Sequence, residues 1–439
     1  MFGLKRKIPS GREVHAQWRQ TFQSLQNQRY RRYSIGQLIS LAGTWMQNVA
    51  ISWVVYKLTG SALALGLVQF ASNLPLLLFT YFGGVIADRF NPRRVILTTQ
   101  WLEMLQALLL TVLALTGHLT VGWLVGMAIF LGCCTAIESP CRQALLPQLV
   151  GKSELTNAIG LNSAIFNVSR LIGPMLAGLV IALGGEVVCF MANAFSYIAA
   201  IVTLIKIKTD DEESALRLTA SGGVGADNST AALRHWIMQP PIRNVILLVA
   251  CTSGFGFQFS VLLPVIAVQV LGDVSGAYVG FLSAAMGVGA LFGSLLVANE
   301  HGDIPRLIRR TGIAALTLSG GILLLAGAKG LVSDMVALGF GGSLGIALLV
   351  LTLVAMSICG FAISVQLGGS NSQLQLQVPA HLRGRVMSIY STFMMGLLPF
   401  SSLIAGWVAQ QYGLLVALAL SGAVMGVASL AYLFQSHQK

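Results

Sequence analysis

Arg170 lies inside a long apolar run, on a stripe with Ser163, Asn167 and Pro174 at i, i+4, i+7 and i+11 counted from Ser163. At helical spacing these four residues share one face. A guanidinium stays charged at any working pH, so Arg170 can bind an anionic or carbonyl-rich solute or hold a carboxylate ionised, but it cannot carry a proton. A structural ion pair or polar cluster is the competing reading. Glu103, set in a run with Gln100 and Gln106, and Glu138, followed by Ser139 and Pro140, are the embedded carboxylates able to take up a proton. Either could equally be an anchor, Glu103 for nearby loop charges and Glu138 for Arg89 or Arg142. Thr44, Gln47, Asn48 and Ser52 form a polar arc upstream, and Asn73 precedes Pro75, whose missing N–H leaves a helix carbonyl available. The later part of the chain offers neutral polar groups, Gln258 and Thr392 among them, interleaved with Phe255, Phe257, Phe281 and Phe393. Such residues would suit a bulky, partly hydrophobic solute.

Enzyme chemistry finds no support in this inventory. No HExxH, no GxxxxGK[ST] phosphate loop and no shared Ser/His/Asp or Cys/His set is present, so neither a bound metal nor an ATP motor is expected, and no cofactor. Cys133, Cys134, Cys189, Cys251 and Cys359 lie in apolar runs without ligand spacing and read as small hydrophobes.

The elements that must position these groups are membrane helices. Only 10% of the 439 residues are charged against about 25% in an ordinary soluble domain, 55% are hydrophobic, and the mean hydropathy is +0.76. Apolar runs of spanning length fall at about 35–57, 62–82, 94–116, 121–139, 157–183, 185–205, 242–270, 276–298, 307–327, 338–365, 386–409 and 412–434. Each can cross a hydrocarbon core of roughly 30 Å. The expected fold class is an all-α polytopic membrane protein with 12 transmembrane helices in two six-helix bundles. The first bundle is residues 35–205 and the second 242–434, with a basic cytoplasmic arm at 1–34, a cytoplasmic linker at 206–241 and a tail at 435–439. The arm carries eight Lys/Arg before the first long apolar run, unlike a secretory signal. In the linker, Arg234 and Trp236 could instead belong to a short interfacial helix. Of the 27 Lys and Arg, 24 fall on the side of the termini, which predicts cytoplasmic termini and a multi-pass protein of the plasma (inner) membrane. The net charge of +12 therefore reports topology rather than nucleic-acid binding.

The two halves repeat weakly. Pro147 and Pro379 are expected in equivalent loops and Pro174 and Pro399 in equivalent spans, with Met395 at the position matching Arg170. Repeated bundles of this kind alternate access around a midplane site in many transporters.

The turn between the second and third spans, Gly83-Gly-Val-Ile-Ala-Asp-Arg-Phe-Asn-Pro-Arg-Arg94, resembles the signature Gly-x-x-x-Asp-Arg-x-x-x-Arg-Arg loop of the major facilitator superfamily. YKLTGSALALGLVQFASNLP, SPCRQALLPQLV and NAIGLNSAIFNVSRLIGPMLAG are similar to its branch of bacterial siderophore exporters and macrolide-type efflux proteins. The resemblance implies a gate at Gly84, Asp88, Arg89, Arg93 and Arg94 that locks the halves outward-open. On the residues themselves, Gly83 and Gly84 permit close approach at a helix end, Asp88 can sit at the next helix N-terminus, and the arginines can meet acids or lipid phosphates. In the second half Asn299 and Glu300 depart from the pattern. The expected activity is proton-driven export of a small amphiphilic compound, siderophore-like or drug-like, with protons and membrane lipids as partners, no nucleic acid, and a monomer as the expected unit. Translocation of lysophospholipid or another lipid-linked solute, and a non-transporting membrane sensor or partner of a biosynthetic enzyme, are the alternatives.

Overall fold

The structure is a computed structural model that describes residues 23–151, 154–207, 236–298, 303–337 and 344–437. The expected arm and linker fall mostly outside these residues, as do Arg234, Asn299 and Glu300. After a 3-10 turn at Gln23–Gln26, the helices are α1 Gln28–Thr59, α2 Ala62–Arg89, α3 Pro92–Leu115, α4 Val121–Leu149 and α5 Leu155–Lys206. The second half has α6 Pro240–Cys251, α7 Gln258–Val261, α8 Leu263–Leu271, α9 Ala277–Ala298, α10 Ile304–Ala337, α11 Leu344–Gln377, α12 Ala380–Gly396 and α13 Leu398–His437. Among the described residues ten helical stretches are long and apolar enough to cross a membrane. Two of the ten are double. One breaks at Gly185 (φ 77°, ψ 178°) inside α5 and the other at Gly413 (φ 87°, ψ 163°) inside α13, so the chain forms twelve crossings in two six-helix bundles.

The two breaks occupy equivalent places in the two halves, after the fifth and eleventh crossings. Their dihedrals lie in a region open essentially to glycine alone, which lets an apolar run of double length reverse without a polar loop. Side-chain caps define other ends: Asn27 accepts from Arg29 N before α1, Ser61 from Ala64 N before α2, and Asn91 from Arg93 N before α3. The ends of the described chain, Gln23 and His437, and most of the described Arg residues lie at one end of the bundle, here the terminal end. The positive-φ glycines all fall at the opposite, distal end.

Three boundaries differ from the sequence reading. α4 does not stop at residue 139 but continues through Pro140 and Pro147 to Leu149, so Pro147 lies in a helix while Pro379 caps α12. Pro140 deprives the Ala136 carbonyl of its helix donor, and a Cβ at Gly83 of α2 would run into that carbonyl and Ile137 Cα, so the disrupted turn is where α2 crosses α4. α11 likewise runs on to Gln377. The GFGF stretch in the seventh crossing is a π turn over Thr252–Gly256 rather than plain α-helix, so this crossing is built from α6, α7 and α8 with Pro264 starting the last piece.

Within each half, α1 packs along α5, α2 along α4 and α3 along α5; α9 along α11 and α10 along α13 repeat the scheme. Glycines set these distances. A Cβ at Gly36 or Gly43 would strike Thr203 or Ser196 of α5, and one at Gly289 the Ser357 carbonyl of α11. Between the halves the close crossings are α2 with α13, where Gly66 meets Ser402 O, Leu403 Cα and Gly406 Cα, and α5 with α9, where Gly178 meets Gly280. Ala62 N also donates to Gln410 Oε1 across this seam at 3.0 Å. The contacts of Gly66, Gly178 and Gln410 between the halves belong to the distal half of the bundle.

Candidate functional site

The signature turn is tighter than the sequence suggested. α2 runs to Arg89, only Phe90 and Asn91 separate it from α3, and Asn91 rather than Asp88 caps α3. The cap falls to Asn91 because it directly precedes Pro92, whose fixed φ starts the helix. Asp88 and Arg89 are exposed, and Asp88 makes no ion pair among the described residues. Arg93 meets neither an acid nor solvent alone: its Nε and Nη2 donate to Leu204 O at 2.8 Å and Ile205 O at 3.0 Å. It thus closes the last turn of α5, where unpaired carbonyls favour a cation. Arg94 is also partnered. Gly83 supplies the close approach to α4, whereas a Cβ on Gly84 would meet open space, which corrects the expectation that both glycines serve packing.

Glu103 and Glu138 come together inside the first bundle, 5% and 2% exposed. Glu138 pairs with Arg142 one turn along α4 and accepts from Thr99 Oγ1 at 2.7 Å. Gln100 Nε2 bridges the two acids, 3.0 Å from Glu103 Oε2 and 3.1 Å from Glu138 Oε1, while its own oxygen accepts from Ser40 Oγ at 3.0 Å. Arg142, not Arg89, is therefore the anchor. Three helices, α1, α3 and α4, converge here in one chain of hydrogen bonds, an arrangement in which losing one member leaves others unpaired.

A second buried chain contains Gln47. It donates to Gln106 Oε1 at 3.1 Å and accepts from Asn193 Nδ2 at 2.9 Å, and it is fully buried. Gln47 thus binds spans of its own bundle together and does not face the other half. Gln258 is also internal: 4% exposed, it donates to Gly254 O at 2.8 Å and accepts from Ser421. Both amides use their nitrogen and their oxygen in bonds within one bundle. Asn73 is half-buried and donates to Gln69 O at 2.8 Å, and Asn48 is half-buried. Thr392 is exposed, with its hydroxyl on Ser388 O at 3.0 Å.

Arg170 behaves differently. It makes no ion pair among the described residues, and its Nε is buried with no hydrogen-bond partner. Its guanidinium carbon lies 5.8 Å from the centroid of the Trp45 ring of α1, and Trp45 meets Phe166 edge to face at 5.9 Å. Successive residues advance about 100° around a helix. Arg170 consequently points between Gly173, which packs on Trp45 and Ala42 of α1, and Leu171 and Gly178, which pack on α9 of the other half. That direction lies between α1 of its own half and α9 of the other. Asn167 shares this face and donates to Ser163 O at 2.9 Å. Trp45 and Phe166 were not among the expected site residues. Each is an ordinary aromatic in an apolar run, and only their meeting under Arg170 distinguishes them.

The fold is that of a major facilitator transporter. Aligned structures include a nucleoside transporter, 12% identical with a TM-score of 0.67 over 93% of this chain and 99% of that one, and a bacterial homologue of the iron transporter ferroportin in an inward-facing state, 16% identical with a TM-score of 0.60 over 93% and 98%. Residues 19–438 match the transmembrane secretion effector family of that superfamily, and the chain belongs to it. Its relatives include the staphyloferrin A transporter of Staphylococcus aureus, 23% identical over 87% of this chain and 89% of that one. The multidrug efflux pump Tap of Mycolicibacterium fortuitum is 26% identical over 88% and 91%, and the enterobactin exporter of Citrobacter koseri 23% identical over 82% and 80%.

Proposed function

We propose that this protein exports a small amphiphilic compound, siderophore-like or drug-like, by alternating access driven by protons, from an inner membrane with both termini in the cytoplasm. The observation that carries the reading is the uneven contact between the halves. The crossings at Gly66 with Gly406 and Gly178 with Gly280 lie in the distal half. Towards the terminal end of α2 and α5, a Cβ added at Gly84 or Gly160 would meet nothing within 4 Å. With the termini cytoplasmic, this supports an arrangement closed to the outside and open to the inside. The names of the relatives support export, and the basic terminal end supports the orientation.

Coupling is assigned to Glu138, with Glu103 second. A proton on Glu138 would cancel its charge pairing with Arg142 and require Thr99 and Gln100 to rearrange, which links protonation to the packing of α1, α3 and α4. Arg170 keeps its charge throughout and serves the solute. The neutral polar interior of the second half, exemplified by Thr252 on Gln366 Oε1 at 3.0 Å, leaves the first half with the titrating work.

The test is uptake by purified protein in liposomes under an imposed pH gradient, with a panel of amphiphilic metabolites and drugs. Glu138→Gln keeps the side chain's shape and removes its titration, so gradient-driven transport should fall while solute binding persists. Full proton-driven rates in both Glu138→Gln and Glu103→Gln would show the coupling assignment to be wrong.

A further inference from the structure

We infer that Arg170, Trp45 and Phe166 form a binding site for the carboxylate of an organic anion whose apolar part lies against the two aromatic rings; the inference deepens the transport reading and rests on it only for the route by which the ligand arrives. A cation among apolar helices is costly unless something answers its charge. Among the described residues the Trp45 ring faces it and no acid pairs with it. The two embedded acids are committed elsewhere, Glu138 to Arg142 and Thr99, Glu103 to the Gln100 bridge. Across the seam, α9 and α11 contain no Asp or Glu, and neither does α13. Asp273, at the distal turn before α9, spends both oxygens on the backbone of Ser275, Gly276 and Tyr278 at 2.9 Å each. The counter-charge of Arg170 must therefore come from a ligand.

The geometry also selects the kind of anion. A guanidinium presents its donors in a planar fork that matches a carboxylate. With Trp45 beside the cation and Nε buried without a partner, Nη1 and Nη2, which make no hydrogen bond among the described residues, are the donors left to receive oxygens. Phe166, 45% exposed, continues the apolar wall beside it. A small inorganic anion would leave that wall unused. A neutral solute would leave the charge unanswered. Met395, the residue expected to match Arg170 in the second half, is uncharged, so the repeat offers no second guanidinium.

The experiment uses the full chain in detergent or nanodiscs. The probes are 2-naphthoate and its neutral isostere 2-naphthamide, with chloride and vesicles containing anionic phosphatidylglycerol as competitors. Naphthoate should bind at least about tenfold more tightly than naphthamide, the gain expected from a charge-assisted pair worth about 1.4 kcal/mol or more. Arg170→Gln should abolish the difference, Arg170→Lys should restore part of it, and Trp45→Leu should weaken both probes. A readout that needs no organic ligand runs in parallel: quenching of the Trp45 fluorescence component, obtained by difference from Trp45→Phe, by iodide, caesium and acrylamide. Iodide should quench more than caesium, and Arg170→Gln should remove that preference while acrylamide quenching stays the same. Equal quenching by iodide with and without the Arg170 charge, or equal binding of the acid and the amide, would overturn the proposal. Competition by chloride at concentrations matching naphthoate would assign the site to an inorganic anion, and competition only by the vesicles would assign it to lipid headgroups; either outcome also overturns it. Binding is read without a gradient, so failed transport with intact acid-selective binding would count against the export reading alone.

Discussion

Adding one methyl group at Gly280 should tilt the protein away from the state seen here. A Cβ there would meet Gly178 N and Cα and lie 2.6 Å from Pro174 O, all backbone of α5 in the other half. Carbon needs about 3.5 Å from its neighbours, so α5 and α9 would have to part by about 1 Å. Backbone cannot swing aside as a long side chain can. Overpacking of this kind costs about 1–3 kcal/mol, and here the cost falls only on the arrangement in which the distal halves touch. A tenfold change in population corresponds to about 1.4 kcal/mol, so Gly280→Ala should shift the balance between states roughly 5- to 150-fold towards distal opening. The assay is thiol labelling of single-cysteine proteins with the six native cysteines replaced. Ser402→Cys, buried at the α2–α13 seam, should label faster, and Thr392→Cys, exposed in the terminal half, should label more slowly. Gly132→Ala is the control. Its Cβ would meet Ser72 O and lie 3.0 Å from Pro75 Cγ, within one bundle, so it should lower stability and leave the labelling ratio unchanged. Folded Gly280→Ala protein with unaltered labelling at both positions would refute the idea that this seam is the closed gate.

Two further outcomes follow from the local geometry. Gly185→Ala and Gly413→Ala meet no steric obstacle, yet each forces a side chain into a glycine-only backbone region. Each should lower stability by about 1–3 kcal/mol, read as a lower thermal midpoint, whereas Gly84→Ala, helical and in open space, should leave it nearly unchanged. Reversing Asp88 to Arg should disturb outward-open locking while leaving insertion intact, because the surrounding arginines still specify orientation; unchanged labelling on both faces together with unchanged transport would remove Asp88 from the gate.

The residues that the sequence pointed to divide according to how their partners are reached. Glu103 and Glu138 were visible because a carboxylate in an apolar run needs a partner, but their separation of 35 positions hid the fact that they share one through Gln100. Gln47 and Gln258 looked the same on paper as Asn48 and Thr392. An amide on a helix advertises polarity and not direction, and two of the four proved to be fully occupied inside their bundles. The stripe through Arg170 was correct as a face, since helical spacing fixes which residues are aligned, while what that face looks at depends on two other helices.

Sequence alone determined the class of structure: twelve crossings in two similar halves, because lipid demands apolar runs of a set length and every backbone group in them must bond within its own helix. It also determined the asymmetry of charge between the two ends, since 24 of the 27 Lys and Arg fall on one side. Tertiary structure alone decided that Gly178 faces Gly280 and Gly66 faces Gly406. It likewise decided that Arg93 closes α5 and that Trp45 lies under a guanidinium with no acid to pair with. The physical reason is that hydrophobicity and periodicity are properties of one helix, whereas a gate and a binding site are made of contacts between helices, where a single missing Cβ or a single unmatched charge decides what can approach.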